Sequence, residues 1–148
     1  MTIILKKFEE LTVSELYEVL RLRAEVFCVE QDCVYQDLDG KDQVAVHVLM
    51  YEEGELLAYC RIFDKGIKYE DASIGRVVSY KKVRGTGATL QMLEVAINYV
   101  EEVLKEDKIR ISSQVYIKRF YEKLGFETVS GVYLEDGIDH VEMLRISK

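Results

Sequence analysis

The sequence predicts a mixed α/β domain, on three observations. Apolar residues recur with strand spacing and helix spacing by turns, in the order strand, helix, three strands, helix, strand, helix, two strands. Turn signals at Glu53-Gly54 and Glu135-Asp136-Gly137 separate consecutive strand segments, as hairpins require. No linker, repeat or low-complexity tract divides the 148 residues, so residues 1–148 read as one domain, long enough to bury roughly two thirds of its unfolded surface.

Thr2 to Phe8 reads as the first strand. Val13 to Val29 follows as a helix behind a Thr12/Ser14 cap region, with Leu16, Val19, Leu20 and Phe27 along one stripe that Arg23 interrupts. Glu30 to Gln43 is a polar, Asp-rich loop that carries the turn signal Leu38-Asp39-Gly40. Val44 to Glu52 and Glu55 to Phe63 form the first hairpin, and Ser73 to Ser79 the next strand, reached through a loop around Gly66. Ala88 to Leu104 repeats apolar residues at Leu93, Ala96, Ile97, Val100 and Leu104, the pattern of a helix packing one face on a sheet. Lys108 to Ser113 is a short buried strand. Gln114 to Leu124 is an amphipathic helix stopped by Gly125, and strands Glu127 to Leu134 and His140 to Ile146 close the chain.

Composition narrows the function. Almost half of the residues are apolar, with ten Tyr and five Phe, as in a globular chain. A formal net charge of −7 argues against nucleic acid as a partner, because neutralising phosphates takes a basic face. The apolar part of Met1-Thr2-Ile3-Ile4-Leu5 is too short for a signal peptide and no apolar run reaches membrane-spanning length, so the expected location is cytoplasmic, with no membrane partner. Cys28, Cys33 and Cys60 are odd in number without a C-x-x-C pair, which fits reduced thiols. Cys28, Cys33, His47 and His140 lack zinc-ligand spacing, and no metal is expected.

The most specific local feature is the stretch Ser73-Ile74-Gly75-Arg76-Val77-Val78-Ser79, followed after Tyr80-Lys81-Lys82-Val83 by Arg84-Gly85-Thr86-Gly87-Ala88-Thr89-Leu90. A strand, a glycine-bearing turn and the start of a long helix present unpaired N–H groups and the positive end of a helix dipole to an anion. The spacing separates the phosphate loops. No Gly-Lys-Ser/Thr triplet follows Gly87, which removes the Walker loop, and Leu90 stands where a dinucleotide fingerprint needs its third Gly. The remaining pattern, Arg-x-x-Gly-x-(Gly/Ala) entered from a Val-rich strand, resembles the acetyl-CoA pyrophosphate loop of the GNAT superfamily of N-acetyltransferases, with Thr89 at the last place.

A second segment, Gln114-Val115-Tyr116-Ile117-Lys118-Arg119-Phe120-Tyr121-Glu122-Lys123-Leu124-Gly125-Phe126, resembles the other hallmark of that superfamily. There a Tyr four residues before Gly-Phe faces the cofactor sulfur, the place of Tyr121, and an Asn seven residues earlier contacts pantetheine, the place of Gln114. Arg21 to Asp39 and Glu135 to Met143 look like the ElaA-like branch, with Asp139 where members usually carry Pro.

The resemblance implies a mixed, mostly antiparallel central sheet flanked by helices, a single GNAT-like domain, and acetyl-CoA as the acetyl donor. It implies cofactor contacts from Val77, Val78, Ser79, Arg84, Gly85, Thr86, Gly87, Ala88, Thr89, Gln114 and Tyr121. The Val78 N–H would be the oxyanion donor and Tyr121 the acid for the departing thiolate, a transfer between groups with ordinary pKa values of about 8.5 and about 10. A general base must also relieve the amine of a proton, for which His47 and His140 are the two His candidates. Glu30, Gln31, Tyr35, Asp37, Asp39, Arg61 and Arg76 are the candidates for acceptor contact. The acids could steer a cationic amine, and an inward Arg could hold a carboxylate or pair with Glu30 or Asp37. The activity implied is direct acetyl transfer to a primary amine: a small amine, a polyamine, or a lysine or α-amino group. A non-catalytic acyl-CoA sensor is the alternative from another class, acyl-homoserine-lactone synthesis shares the general fold, and a homodimer is among the states allowed.

Overall fold

Each apolar period is long enough to bury one face, and the elements follow the predicted order. The computed structural model describes residues 1–147 and contains β1 (Thr2–Lys7), α1 (Val13–Arg23), β2 (Val46–Glu52), β3 (Glu55–Phe63), β4 (Ala72–Ser79), α2 (Ala88–Glu102), β5 (Lys108–Gln114), α3 (Lys118–Glu122), β6 (Glu127–Thr128), β7 (Tyr133–Glu135) and β8 (Ile138–Ile146). Glu53 and Gly54 both take positive φ, 50° and 80°, a turn whose twist matches that of the β2–β3 hairpin. The sheet runs β1-β2-β3-β4-β5-β8-β6, with β7 also on β8, and every pair is antiparallel except β4–β5. It is the mixed, mostly antiparallel sheet expected.

Alternation along the strands gives the sheet two apolar faces. Val48, Met50, Cys60 and Ile62 join Met92, Leu93, Ala96 and Val100 of α2 in the larger core, whereas Leu49 and Tyr59 face the other way onto Val19 and Leu22 of α1. Thr12 and Glu15 cap α1 reciprocally, each side chain accepting from the other's backbone N–H.

Three segments depart from the sequence reading. The first helix does not run as α-helix to Val29: Ala24–Glu30 is π-helical, with Gln31 N–H donating to Val26 O at 3.1 Å and Cys33 N–H to Cys28 O at 3.1 Å. Gln114 ends β5 rather than opening a helix, and Val115–Ile117 make a 3₁₀ turn before the short α3. The strand expected from Glu127 to Leu134 splits into β6 and β7 because Ser130 Oγ accepts from Glu142 N–H at 2.8 Å, replacing a ladder bond with a side chain.

A buried ion cluster fastens the Asp-rich loop to the sheet. Arg23 is fully buried, donating from Nε to Asp37 Oδ2 at 2.9 Å and from Nη1 to Asp42 Oδ1 at 2.8 Å. Arg61 donates from Nη1 to both Asp39 Oδ1 at 3.0 Å and Asp42 Oδ1 at 2.8 Å. Burial pushes the Asp39 and Asp42 carboxyls up, and the hydrogen bonds from Arg61 and Arg23 outweigh it, holding both below the usual carboxylate range. Arg23 interrupts the apolar stripe of the first helix because it is the anchor for this loop.

Removing one partner from such a cluster leaves buried charge uncompensated, so Arg23→Met should cost about 3–5 kcal/mol in urea unfolding. A cost under about 1 kcal/mol would show that the cluster does not hold the loop. Because both acids have depressed folded-state pKa values, their contribution is whole above about pH 4 and should drain as pH falls below it.

Candidate active site

The site begins with one extra residue in β4. Tyr59 pairs with Val78 and Arg61 with Gly75, so Cys60 alone stands opposite both Arg76 and Val77. Arg76 absorbs the bulge in the left-handed region, at φ 49°. β4 pairs with β5 only at Ala72↔Ile109 and Ser73↔Arg110. Beyond that level the two strands separate, and a cleft of about 670 Å³ opens between them.

Main-chain direction along β4 follows from the ladder. Tyr80 N–H donates to Leu57 O at 2.9 Å, continuing the register of Tyr59↔Val78. N–H groups two residues apart share a side of a strand, so that of Val78 faces β3, while those of Val77 and Ser79 face away from β3, towards the cleft. The expectation that Val78 donates to an oxyanion is therefore corrected. Val78 lines the cleft, but its N–H belongs to the ladder.

At one end of the cleft lies the glycine loop. Gly85 and Gly87 take φ 80° and 86°, and Gly87 is the N-cap of α2. The N–H groups of Gly85, Gly87, Thr89 and Leu90 have no acceptor among the described residues. Together with the helix dipole they form an anion cradle. Arg84, Gly85, Gly87 and Thr89 line the cleft, whereas Thr86 and Ala88 do not. Thr86 braces the loop from behind, its hydroxyl donating to Val83 O at 2.6 Å and accepting from Ala88 N–H at 3.3 Å. Arg84 crosses the opening, donating to Ser79 O at 2.7 Å and to Glu30 Oε2 at 2.6 Å.

Tyr121 also lines the cleft, buried edge-on between Phe120 and Phe126. Its hydroxyl has no hydrogen-bond partner among the described residues, and burial pushes the phenol up, keeping it protonated. Gln114 also lines the cleft, its Nε2 3.5 Å from Gln31 Oε1.

At the far end the walls are polar. Gln31, Tyr35, Arg76 and His140 line the cleft, and so does Glu30, which is paired with Arg84 beside the glycine loop. His140 Nδ1 lies 2.7 Å from Ile138 O, a carbonyl that can only accept, so Nδ1 carries a proton and Nε2 is the free ring nitrogen. That Nε2 is 3.3 Å from Glu135 Oε2, and the ring stacks on Tyr133. Glu135, Asp136 and Cys33 also line this end and were not candidates. The one sequence signal for Glu135 is its position two residues before Gly137, at a tight turn where it pairs with Ile138 across the hairpin.

Besides Thr86 and Ala88, four candidates for the acceptor side or the base do not reach the cleft. Asp37, Asp39 and Arg61 are consumed by the buried cluster, so they position the loop and do not receive an amine. His47 is fully buried beneath that cluster: Nε2 donates to Asp42 O at 2.8 Å and Nδ1 accepts from the Tyr59 hydroxyl at 2.6 Å. Both nitrogens are occupied, so His47 is no general base. Among the described residues no group of three or more His, Cys, Asp or Glu converges on a metal position, and no helix is long and apolar enough to cross a membrane.

Comparison with known proteins agrees with this geometry. Residues 9–146 match the family model of the acetyltransferase (GNAT) domain. The chain is 38% identical over 138 residues to protein ElaA of Escherichia coli (strain K12), covering 92% of this chain and 90% of that one. It is 36% identical over 140 residues to a UPF0039 protein of Schizosaccharomyces pombe, covering 93% and 92%. Among solved structures it superposes on an acyl-CoA N-acyltransferase from Pseudomonas aeruginosa with a TM-score of 0.91 at 38% identity, covering 98% of this chain and 99% of that one. The Escherichia coli ElaA structure gives a TM-score of 0.91 at 35% identity, covering 97% and 98%.

Burial holds the His47 imidazolium below its ordinary pKa, outweighing the hydrogen bond to Asp42. An unfolded His titrates near 6.5, so the stability His47 contributes is whole above about pH 6.5 and is lost as pH falls. The stability gap between the wild type and His47→Gln should therefore narrow between pH 7 and pH 5 in urea unfolding. A gap that stays constant would mean that His47 titrates as it would in the unfolded chain.

Proposed function

This chain belongs to the GNAT acetyltransferase family, and on that premise we propose that it moves an acetyl group from acetyl-CoA directly to a primary amine in a ternary complex. The accepting group is that of a small amine, a polyamine, or a lysine or α-amino group. The observation that carries the reading is that one cleft gathers an anion cradle, outward backbone donors, a buried Tyr hydroxyl and a His whose Nδ1 is held by a carbonyl. Acyl-CoA binding alone would need the first two and not the last two.

The N–H groups of Gly85, Gly87, Thr89 and Leu90 hold the pyrophosphate. The outward N–H groups of Val77 and Ser79 hold the pantetheine arm and donate to the oxyanion as the thioester carbonyl is attacked. His140 Nε2 takes the proton from the ammonium, which frees the nitrogen lone pair to form the new C–N bond. Glu135 stabilises the resulting imidazolium. As the C–S bond breaks, the Tyr121 hydroxyl gives its proton to the thiolate, and the second proton that the attacking nitrogen sheds on becoming an amide restores the phenol. Burial pushes the Tyr121 phenol up, so it keeps its proton until the thiolate departs.

Thiol release from acetyl-CoA over a panel of amines tests the reaction. Turnover with any amine supports it, while tight acetyl-CoA binding without turnover across the panel would favour the sensor. Gly87→Val adds a Cβ that meets no protein atom within 4 Å, but a branched residue must then adopt φ 86° or distort the cradle. Calorimetry should show acetyl-CoA bound at least about tenfold more weakly, about 1.4 kcal/mol. Unchanged affinity in the folded variant would place the cofactor elsewhere. Tyr121→Phe keeps the ring and its packing, so kcat should fall by roughly 10²–10⁴ with near-normal acetyl-CoA affinity. Turnover within about twofold of wild type would return Tyr121 to the core.

A further inference from the structure

Of the arginines at the Asp-rich loop, Arg76 is the one left without a carboxylate hydrogen bond. Arg23 donates directly to Asp37 and Asp42, and Arg61 to Asp39 and Asp42. Arg76 donates only to the Asp37 main-chain carbonyl, from Nη2 at 2.9 Å. Its buried Nε lies 2.8 Å from Asp37 Oδ1, but the N–H is not aimed at that oxygen and has no partner among the described residues. Asp37 cannot turn to meet it, because Oδ2 takes Arg23 Nε and Oδ1 takes the Tyr35 hydroxyl at 2.9 Å. Nη1 of Arg76 is likewise unpartnered among the described residues. Asp39 Oδ2 also lies 3.5 Å from Arg76 Nη2, so the guanidinium is braced by Asp37, Asp39 and Tyr35, lines the cleft, and keeps Nε and Nη1 without a hydrogen-bond acceptor among the described residues.

Its position places it on the acceptor side. Read back along the chain from the cradle at Arg84 to Leu90, β4 presents the outward donors at Ser79 and Val77 and then Arg76 at the bulge. Arg76 is three residues beyond Ser73, and Ser113 is three beyond Arg110, the β5 partner of Ser73. Ser113 and Gln114 pair with Val141 and His140. Arg76 and His140 therefore flank the splayed strands at one level, a cation on the β4 wall and the Glu135–His140 pair on the β8 wall.

Resting on the acetyl-transfer reading, we propose that the acceptor is an amino acid, a primary amine that carries its own carboxylate, with Arg76 holding the carboxylate and the Glu135–His140 side receiving the amine. A guanidinium with free N–H donors matches a carboxylate, and the opposite sign on the facing wall orients the amine towards the base. A polyamine would instead set a second cation against Arg76, a repulsive element within the same cleft.

The test compares acceptors that differ only in the carboxylate. Wild-type protein is assayed by thiol release from acetyl-CoA with the standard α-amino acids, β-alanine and γ-aminobutyrate, each beside its carboxamide, and with spermidine. Converting the carboxylate to an amide lowers the proton affinity of an α-amine, so a site without an anchor would favour the amide. The expected result is an amino acid as best acceptor, with kcat/KM falling at least about tenfold on its amide, the scale of a charge-assisted contact. Arg76→Gln should erase that preference and Arg76→Lys keep part of it, with the loss appearing in KM for the acceptor and not in acetyl-CoA affinity. Amides or spermidine turning over as well as the acids would overturn this inference and leave acetyl transfer standing. No thiol release with any acceptor would remove the transfer reading and this inference with it.

Discussion

The site depends on one backbone constraint, the extra residue that β4 carries at Arg76. A regular strand would continue its parallel pairing with β5, consuming the outward N–H and C=O groups of both. The bulge turns the strand after Ser73↔Arg110, the last paired level, so that one side of β4 stays in the β3 ladder and the other is left open. Buried backbone groups without partners are costly, and here they are affordable only because a ligand can complete them. The cleft, its outward donors and the placement of Tyr121 opposite them all follow from that one shift in register.

The second requirement is that a polar loop stay still beside this opening. The segment from Gln31 to Lys41 has no regular secondary structure, yet it supplies Gln31, Cys33 and Tyr35 to the cleft wall. Hydrogen bonds from Arg23 and Arg61 to Asp37, Asp39 and Asp42 give it the rigidity that a helix or strand would otherwise provide. Such a cluster is poor at raising stability over an apolar core of equal volume, and its use lies in fixing one loop conformation. His47 and Tyr59 continue the cluster inward, which is why a His on a central strand serves the scaffold and not the chemistry.

Much of this was legible where a residue type is tied to a backbone requirement. Gly85 and Gly87 announce positive φ at a helix start, Gly125 ends the Tyr helix, and Glu53-Gly54 closes a hairpin; all three stand as read. The bulge was not read although Gly75 inside a strand is a signal for one, because the residue that takes the left-handed region is its neighbour Arg76, a poor candidate for it. The loop acids misled for a related reason: Asp37 and Asp39 look solvated beside Gly40, and only the fold brings Arg23 and Arg61 beneath them. Glu135 was missed because its meaning comes from a side-chain contact across the hairpin, with His140, rather than from its neighbours in sequence. The direction of the Val78 N–H depends on ladder parity, which no side-chain pattern encodes.

The central claim is that the open side of β4 and the start of α2 together hold the acetyl donor. Backbone amide NMR of the ¹⁵N-labelled protein, titrated with coenzyme A, reads that claim directly. The account predicts the largest shifts at the amides of Val77, Ser79, Gly85, Gly87, Thr89 and Leu90, with that of Val78 changing less because it stays in the β3 ladder. Shifts centred away from the β4–β5 opening, with those amides unmoved at saturation, would contradict it.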